Sequence, residues 1–293
     1  MDIREALLRA YDILKDGHND TYKLDSQLLL GKVIGKDRMF TITNRDYQLT
    51  DGEVKEFFSY VELRRKKMPI KYILNKCEFM GIDFFVRPGV LIPRPDTEIL
   101  VEWALKTIKH NVKNGVWSEP AMVCDLCCGS GAIGLSIGKL LNEDSIKTMV
   151  DLFDISDDAL DVTSYNIKSM DLSNFCNAHY SDMLESSIRE EKKYHMLLSN
   201  PPYISDEDMK GLMDDVKNYE PELALCGGSD GLNFYRKIAH DCRKVILPCG
   251  CIGLEIGYNQ GEAVSELLRQ NNFKDVNVMK DFNGLDRVVI GHL

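Results

Sequence analysis

The sequence has no run approaching the ~20 consecutive apolar residues that a membrane helix needs, so no helix is expected to span a bilayer. Its first residues, Met1-Asp2-Ile3-Arg4-Glu5, hold no basic stretch followed by an apolar one, and secretion is not expected. Only 9 prolines and 21 glycines occur in 293 residues, which excludes collagen-like and low-complexity sequence. A basic surplus is also missing. Against 36 Lys and Arg stand 46 Asp and Glu, a net charge of -10. A protein living on phosphate contacts normally shows the opposite balance, so direct DNA binding is not expected. The nine cysteines are odd in number, and three crowd together as Cys124, Cys127 and Cys128. This does not resemble a disulfide framework, and a reducing cytoplasm is the expected setting. No second ligand pair follows Cys124-x-x-Cys127 at zinc spacing and the six histidines show none either, so no metal is expected.

What is present is a soluble-globular composition, 44% hydrophobic and 28% charged, at a length suited to two domains. Residues 1–72 read as a helical bundle. Ile3, Ala6, Leu7, Ala10 and Leu14 recur at helical spacing behind Asp2 and Glu5, a capping-box pair. Leu24 to Leu30 form a second apolar cluster. A further helix starts near Thr50 with Glu53 and is stopped by Pro69. Arg64-Arg65-Lys66-Lys67, the main basic cluster, reads as a solvated helix end. Residues 73–95 read as a linker with a short β-hairpin, from Phe79, Ile82, Phe84 and Phe85 around Gly81. Residues 96–293 form the remaining domain. Asp96 or Thr97 can cap its first helix.

After residue 120, apolar strands alternate with helical stretches: 121–126, 149–155, 175–180, 195–199 and 245–256 are the strands. Such alternation predicts an α/β fold, a mostly parallel sheet with helices on both faces. The last two strands, near 276–279 and 287–290, lie too close together for a parallel crossover, so the closing pair should be antiparallel.

Two segments carry chemistry. Asp125-Leu126-Cys127-Cys128-Gly129-Ser130-Gly131-Ala132-Ile133-Gly134 lies between the first strand and its helix, where small residues let the backbone approach a ligand. Asp154 ends the second strand, 23 residues beyond Gly131, the distance of a ribose-binding carboxylate. The loop also spells G-x-G-x-x-G, a dinucleotide pattern. Asp125 disfavours a pyrophosphate and suits a cationic amino-acid moiety. The loop alone does not choose between a nicotinamide dinucleotide and S-adenosylmethionine.

The second segment is Asn200-Pro201-Pro202-Tyr203 after the fourth strand. A planar NH2 group is a poor nucleophile because its lone pair is delocalised. The Asn200 side-chain oxygen and the Pro201 carbonyl can accept its two hydrogens. They would favour the positive charge that grows as the nitrogen is alkylated. Tyr203 can lie against the flat group and exclude water, and the prolines keep the acceptors in place. These residues point to in-line methyl transfer from a sulfonium to nitrogen, catalysed mainly by positioning.

The segment resembles the amino-group branch of the S-adenosylmethionine-dependent methyltransferases. The wider chain is similar to the bacterial peptide chain release factor glutamine methyltransferases, the PrmC/HemK family. The likeness is carried by Leu91-Ile92-Pro93-Arg94-Pro95-Asp96-Thr97-Glu98, Asp154-Ile155-Ser156, Ser181-Asp182 and Asn200-Pro201-Pro202-Tyr203-Ile204. Tyr219-Glu220-Pro221, Gly227-Gly228-Ser229-Asp230-Gly231-Leu232, Glu255-Ile256-Gly257 with Gln260, and Asp286-Arg287-Val288-Val289 extend it. The resemblance implies a Rossmann-like methyltransferase sheet behind a helical substrate-docking domain. It implies S-adenosyl-L-methionine bound by Cys127, Cys128, Gly129, Ser130, Gly131, Asp154, Asp182, Met183 and Asn200, with S-adenosyl-L-homocysteine as product. It implies Asn200, Pro201, Pro202 and Tyr203 as the substrate site, with Asn200, Pro201 and Tyr203 catalytic. The implied substrate is the glutamine of the Gly-Gly-Gln motif of class I release factors.

Three departures stand out. Cys127 replaces a loop glycine, which is tolerable if its φ is negative. Lys71 and Asn75 replace an expected Gln and Gly, and Met183 stands where an aromatic is common. The competing functions are a glutamine methyltransferase for a ribosomal protein, a DNA or RNA adenine or cytosine amino-methyltransferase, a nicotinamide oxidoreductase and a non-catalytic module. The oxidoreductase leaves Asn200 to Tyr203 unexplained. A nucleic-acid enzyme would have to expose a base and would normally bring a basic surface.

Overall fold

The computed structural model describes residues 1–15 and 20–293, which fall into two compact units. The first holds Met1–Lys76 and Met213–Tyr219. Helix α1 (Ile3–Leu14) starts at Asp2, whose carboxylate accepts the Glu5 N–H at 2.8 Å, and it buries the five apolar residues named above. Helix α2 (Tyr22–Ile34) is followed by α3 (Arg38–Thr43), a short helix with no periodic signal in the sequence. Helix α4 (Asp51–Arg65) opens on the full Thr50–Glu53 capping box. It ends before Pro69, which instead caps α5 (Ile70–Leu74).

The basic cluster at the end of α4 is not simply solvated. The Arg64 Nε donates to the buried Asp25 Oδ2 at 2.7 Å, and its Nη1 donates to the Met68 carbonyl. A carboxylate removed from water needs such a partner. Arg65 pairs with Glu62.

The second unit holds Cys77–Leu212 and Glu220–Leu293. It opens with the antiparallel hairpin of β1 (Cys77–Phe79) and β2 (Ile82–Phe84) and continues into α6 (Glu98–Lys113). Then β3 (Ala121–Leu126), α7 (Ala132–Glu143), β4 (Thr148–Asp154), α8 (Asp157–Ser169), β5 (Cys176–Tyr180), α9 (Glu185–Arg189) and β6 (Tyr194–Ser199) alternate as the patterning predicts. Two short strands, β7 (Ile204–Ser205) and β8 (Cys226–Gly228), pair with each other and flank α10 (Asp214–Tyr219). That helix belongs to the first unit, where Lys67 Nζ donates to Asp214 Oδ2 at 2.6 Å and Tyr219 Oη to the Lys66 carbonyl. The unit closes with α11 (Asn233–Asp241), β9 (Ile246–Glu255), α12 (Gly261–Gln270), β10 (Lys274–Lys280) and β11 (Asp286–His292).

The main sheet has seven strands in the order β10-β11-β9-β6-β3-β4-β5. β3, β4, β5, β6 and β9 are parallel, and β11 is antiparallel to both neighbours, as the short final connection requires. Alternate residues feed two cores. Val123, Met196 and Leu198 join one core with Leu100 of α6 and Phe79 and Phe84 of the hairpin. Cys124, Leu126 and Leu197 join the other with Ile238 of α11 and Leu268 of α12. The chain runs outward from β3 through β4 to β5, then returns to place β6 on the other side of β3. This reversal leaves a crevice beyond the carboxyl ends of β3 and β6, where open α/β sheets bind ligands.

Candidate active site

A cavity of about 290 Å3 occupies that crevice. Its wall is built from Cys127 to Ser130 after β3, Asp154 at the end of β4, Ser181 to Met183 after β5, and Asn200 and Pro202 after β6. Arg94 and Thr97, from the stretch before α6, also border it, as do Pro221 and Phe234. Gly131, Pro201 and Tyr203 do not border it. Gly131 instead starts α7 with φ +80°, packed so closely that a Cβ would lie 2.9 Å from Leu135 Cδ1.

The loop after β3 corrects one expectation. Cys127 has φ +55°, in the left-handed region, not a negative value. Tertiary hydrogen bonds impose the turn: Cys128 N–H donates to the Phe153 carbonyl at 3.0 Å, and Gly129 N–H to Asp154 Oδ2 at 2.9 Å. A side chain in this conformation costs about 1 kcal/mol. The Cys127 Sγ lies 3.8 Å from Met183 Sδ, a weaker compensation. Cys127→Gly is therefore expected to raise the melting temperature by ~2–4 °C, with cofactor affinity within twofold. Thermal unfolding and calorimetric titration check this, and a lower melting temperature would mean the sulfur contact outweighs the strain.

Asp125 is fully buried and absent from the cavity wall. Its Oδ2 accepts the Gly134 N–H at 2.8 Å, while its Oδ1 is buried without a partner. Burial pushes its carboxyl up to about 7 against the pull of that N–H. The expected contact with a cationic ligand is thus replaced by an inward cap on α7. The cap still disfavours a pyrophosphate, because the helix terminus that would receive one already faces a carboxyl group.

Asp154 borders the cavity and also holds the loop: Oδ2 accepts from Gly129 N–H and Oδ1 from Ser156 N–H at 3.0 Å. Burial raises its carboxyl, and these N–H groups oppose the shift. Two polar residues on the buried face of α8 were not assigned site roles by sequence reasoning. Thr163 Oγ1 donates to the Gly129 carbonyl at 2.8 Å, and Asn166 Nδ2 to the carbonyls of Ser130 at 2.9 Å and Phe85 at 3.1 Å. Polar residues at i and i+3 on a helix's inward face were the available signal.

The segment after β6 is braced from several sides. Ser199 Oγ donates to the Leu126 carbonyl at 2.8 Å, tying the ends of β6 and β3 together. Asn200 Nδ2 donates to Thr97 Oγ1 at 3.4 Å. Thr97 makes no side-chain cap for α6; its hydroxyl faces Asn200 instead. Gln260 Nε2 donates to the carbonyls of Tyr203 at 3.0 Å and Gly231 at 3.2 Å, and its Oε1 accepts from Gly257 N–H. Burial pushes the Tyr203 hydroxyl up to about 12. At the cavity mouth, Arg94 Nη2 donates to both carboxylate oxygens of the buried Glu220, at 2.7 and 2.8 Å. Arg94 is therefore both a wall residue and an ion-pair partner. Glu98 accepts the Met80 N–H at 2.8 Å and anchors the hairpin. Among the described residues, no group of three His, Cys, Asp or Glu is placed to hold a metal ion, and no helix is long and apolar enough to cross a membrane.

Comparisons with known proteins bear on the family and the fold. A family described as PrmC N-terminal domain matches residues 5–74, and the methyltransferase small domain matches residues 105–215. A protein of Clostridium acetobutylicum named release factor glutamine methyltransferase is 46% identical over 290 residues, covering 99% of this chain and 98% of the relative. One of the same name from Bacillus cereus is 32% identical and covers 100% of both chains. Among solved structures, the N-terminal domain of human METTL16 in complex with SAH superposes with a TM-score of 0.54 at 17% identity, covering 89% of this chain and 93% of that one. That last likeness concerns the fold alone.

Proposed function

The chain belongs to the release factor glutamine methyltransferase family, and from that premise we propose that it methylates the side-chain amide nitrogen of the glutamine in the Gly-Gly-Gln motif of class I release factors, using S-adenosyl-L-methionine. The residues present suit that cofactor. Asp154 keeps spare lone pairs for vicinal ribose hydroxyls. Met183 and Ile155, with Asp182 beside them, offer an apolar slot for an adenine. Residues 127–130 leave backbone room for the methionine end, and Asp125 opposes a dinucleotide as described.

The bound cofactor supplies an electrophilic methyl carbon. The chain's own residues supply the rest. Asn200 Oδ1 and the Pro201 carbonyl accept the two hydrogens of the substrate amide, which fixes the nitrogen and stabilises its growing positive charge. Pro202, on the cavity wall, and Tyr203 stiffen and shield that grip. A protonated amide is a strong acid, so its proton leaves afterwards without a strong base. Nine free thiols suit a cytoplasmic location.

The observation that carries this reading is that Asn200 shares one cavity with the Cys127–Ser130 loop and Asp154. The test is incubation with methyl-labelled S-adenosyl-L-methionine and, separately, a release factor, a ribosomal protein extract and duplex DNA. Label is expected on the release factor and should vanish when the Gly-Gly-Gln glutamine is changed to alanine. Label only on DNA, or only on a ribosomal protein, would overturn the assignment.

A further inference from the structure

Glu255 ends β9 and is 1% exposed, directly behind the Asn200 segment. Its Oε2 is buried with no hydrogen-bond partner. A carboxyl group taken out of water this way is costly and needs a reason. Burial pushes it up to about 7, and hydrogen bonds from Thr97 and Asn200, with the charge of Arg287, pull it back down. Four other groups face it. Arg287 comes from β11 and is itself held by Asp281 at 3.0 Å and Asp96 at 3.3 Å. Asp96 opposes ionisation, Tyr203 lies nearby, and Tyr235 Oη donates to the Glu255 main-chain carbonyl at 2.8 Å.

The two ends of an asparagine amide are nearly equal in size, so hydrogen-bond partners alone decide which end faces where. Asn200 must present its oxygen to a substrate NH2, because its own NH2 would set donor against donor. We propose that Glu255, directly and through the Thr97 hydroxyl, fixes the Asn200 amide with its nitrogen inward and its oxygen toward the substrate; this rests on the amide-holding role given to Asn200 above. An ionised carboxylate can only accept. The Thr97 hydroxyl then turns its hydrogen to Glu255 and its lone pair to Asn200. Only the Asn200 Nδ2 can satisfy that lone pair, as the 3.4 Å contact shows. Without the carboxylate the hydroxyl is free to donate to Asn200 Oδ1, and the amide turns over. Glu255 is thus a positioning residue that never touches substrate.

The test compares wild type with Glu255→Leu and Glu255→Gln in the full chain. Leucine is expected to lower kcat by ~30-fold, leaving the melting temperature at or above wild type and cofactor affinity within twofold. Glutamine keeps an acceptor and should recover part of that loss. Wild-type kcat should fall as pH drops through about 7, where Glu255 gains its proton, and both variants should lose that limb. Unchanged turnover and pH profile in Glu255→Leu would overturn the inference. If that variant does not fold, Glu255→Met, which also lacks the carboxylate, carries the same expectation, and wild-type turnover there overturns it equally. The Asn200 side-chain 15N–1H resonances, assigned by their loss in Asn200→Ala, should shift in Glu255→Leu. This readout needs no methyl acceptor. If wild type labels no release factor while the resonances shift, the substrate assignment fails and the amide lock stands; unmoved resonances sink the lock.

Discussion

Asn200→Ala is expected to reduce methyl transfer by ~10^3-fold, about 4 kcal/mol of transition-state stabilisation. The substitution removes an acceptor aimed at a nitrogen whose lone pair is delocalised over its carbonyl. Without it, one N–H of the substrate amide is unpaired, and the positive charge that grows during alkylation has one dipole fewer. The neighbouring Arg94 guanidinium cannot replace that oxygen, since it offers only donors and is already engaged with Glu220. The loss should fall on kcat. Cofactor affinity should change less than about fivefold, because the 127–130 loop is held by Asp154, Thr163 and Asn166 and not by Asn200. Single-turnover transfer from labelled cofactor, with calorimetric titration of cofactor alone, separates the two effects. A variant keeping a tenth or more of wild-type turnover would remove Asn200 from the chemistry.

The second large effect is expected from Gly231→Ala. Gly231 has φ +73°, and a Cβ there would lie 2.3 Å from the Tyr203 carbonyl oxygen and 2.6 Å from Gln260 Nε2. Backbone cannot swing away as a flexible side chain can, so the Asn200–Tyr203 segment must move. The left-handed conformation costs about 1 kcal/mol and the overlap about 1–3 more. A fall in melting temperature of roughly 5–12 °C should follow. A shift near 1 Å in the segment that grips the substrate should cost turnover ~10^2-fold, with cofactor affinity little changed. Gly284→Ala is the control. It has φ +80° but nothing within 4 Å of its Cβ, so it carries the conformational cost alone and full activity. Equal activity in the two variants would show that the Gly231 contact does not position the site.

Local patterns carried much of this architecture. The Thr50–Glu53 box, the apolar face of α1 and the strand at 121–126 are readable because each depends on residues a few positions apart. The antiparallel end of the sheet followed from one short connection. Where the signal was weak, the sequence was silent or misleading. α3 is too short for a period, and Pro69 starts a helix instead of only stopping one. Residues 127–130, Asp154, Asp182, Met183 and Asn200 were brought to one cavity from four separate loops.

Chain order and side-chain chemistry thus determined the kinds of element, their succession, the loop suited to a nucleoside and the tetrapeptide suited to a planar amide. Only the folded chain decided that Asp125 turns inward to cap α7, that Cys127 adopts a left-handed turn, and that Thr97 and Glu255 stand behind Asn200. The reason is one of range. Periodicity and capping are settled by neighbours along the chain. The partners of Asn200, by contrast, lie about 100 positions before it at Thr97 and 55 after it at Glu255, and Glu255 reaches it because the strand order sets β6 beside β9.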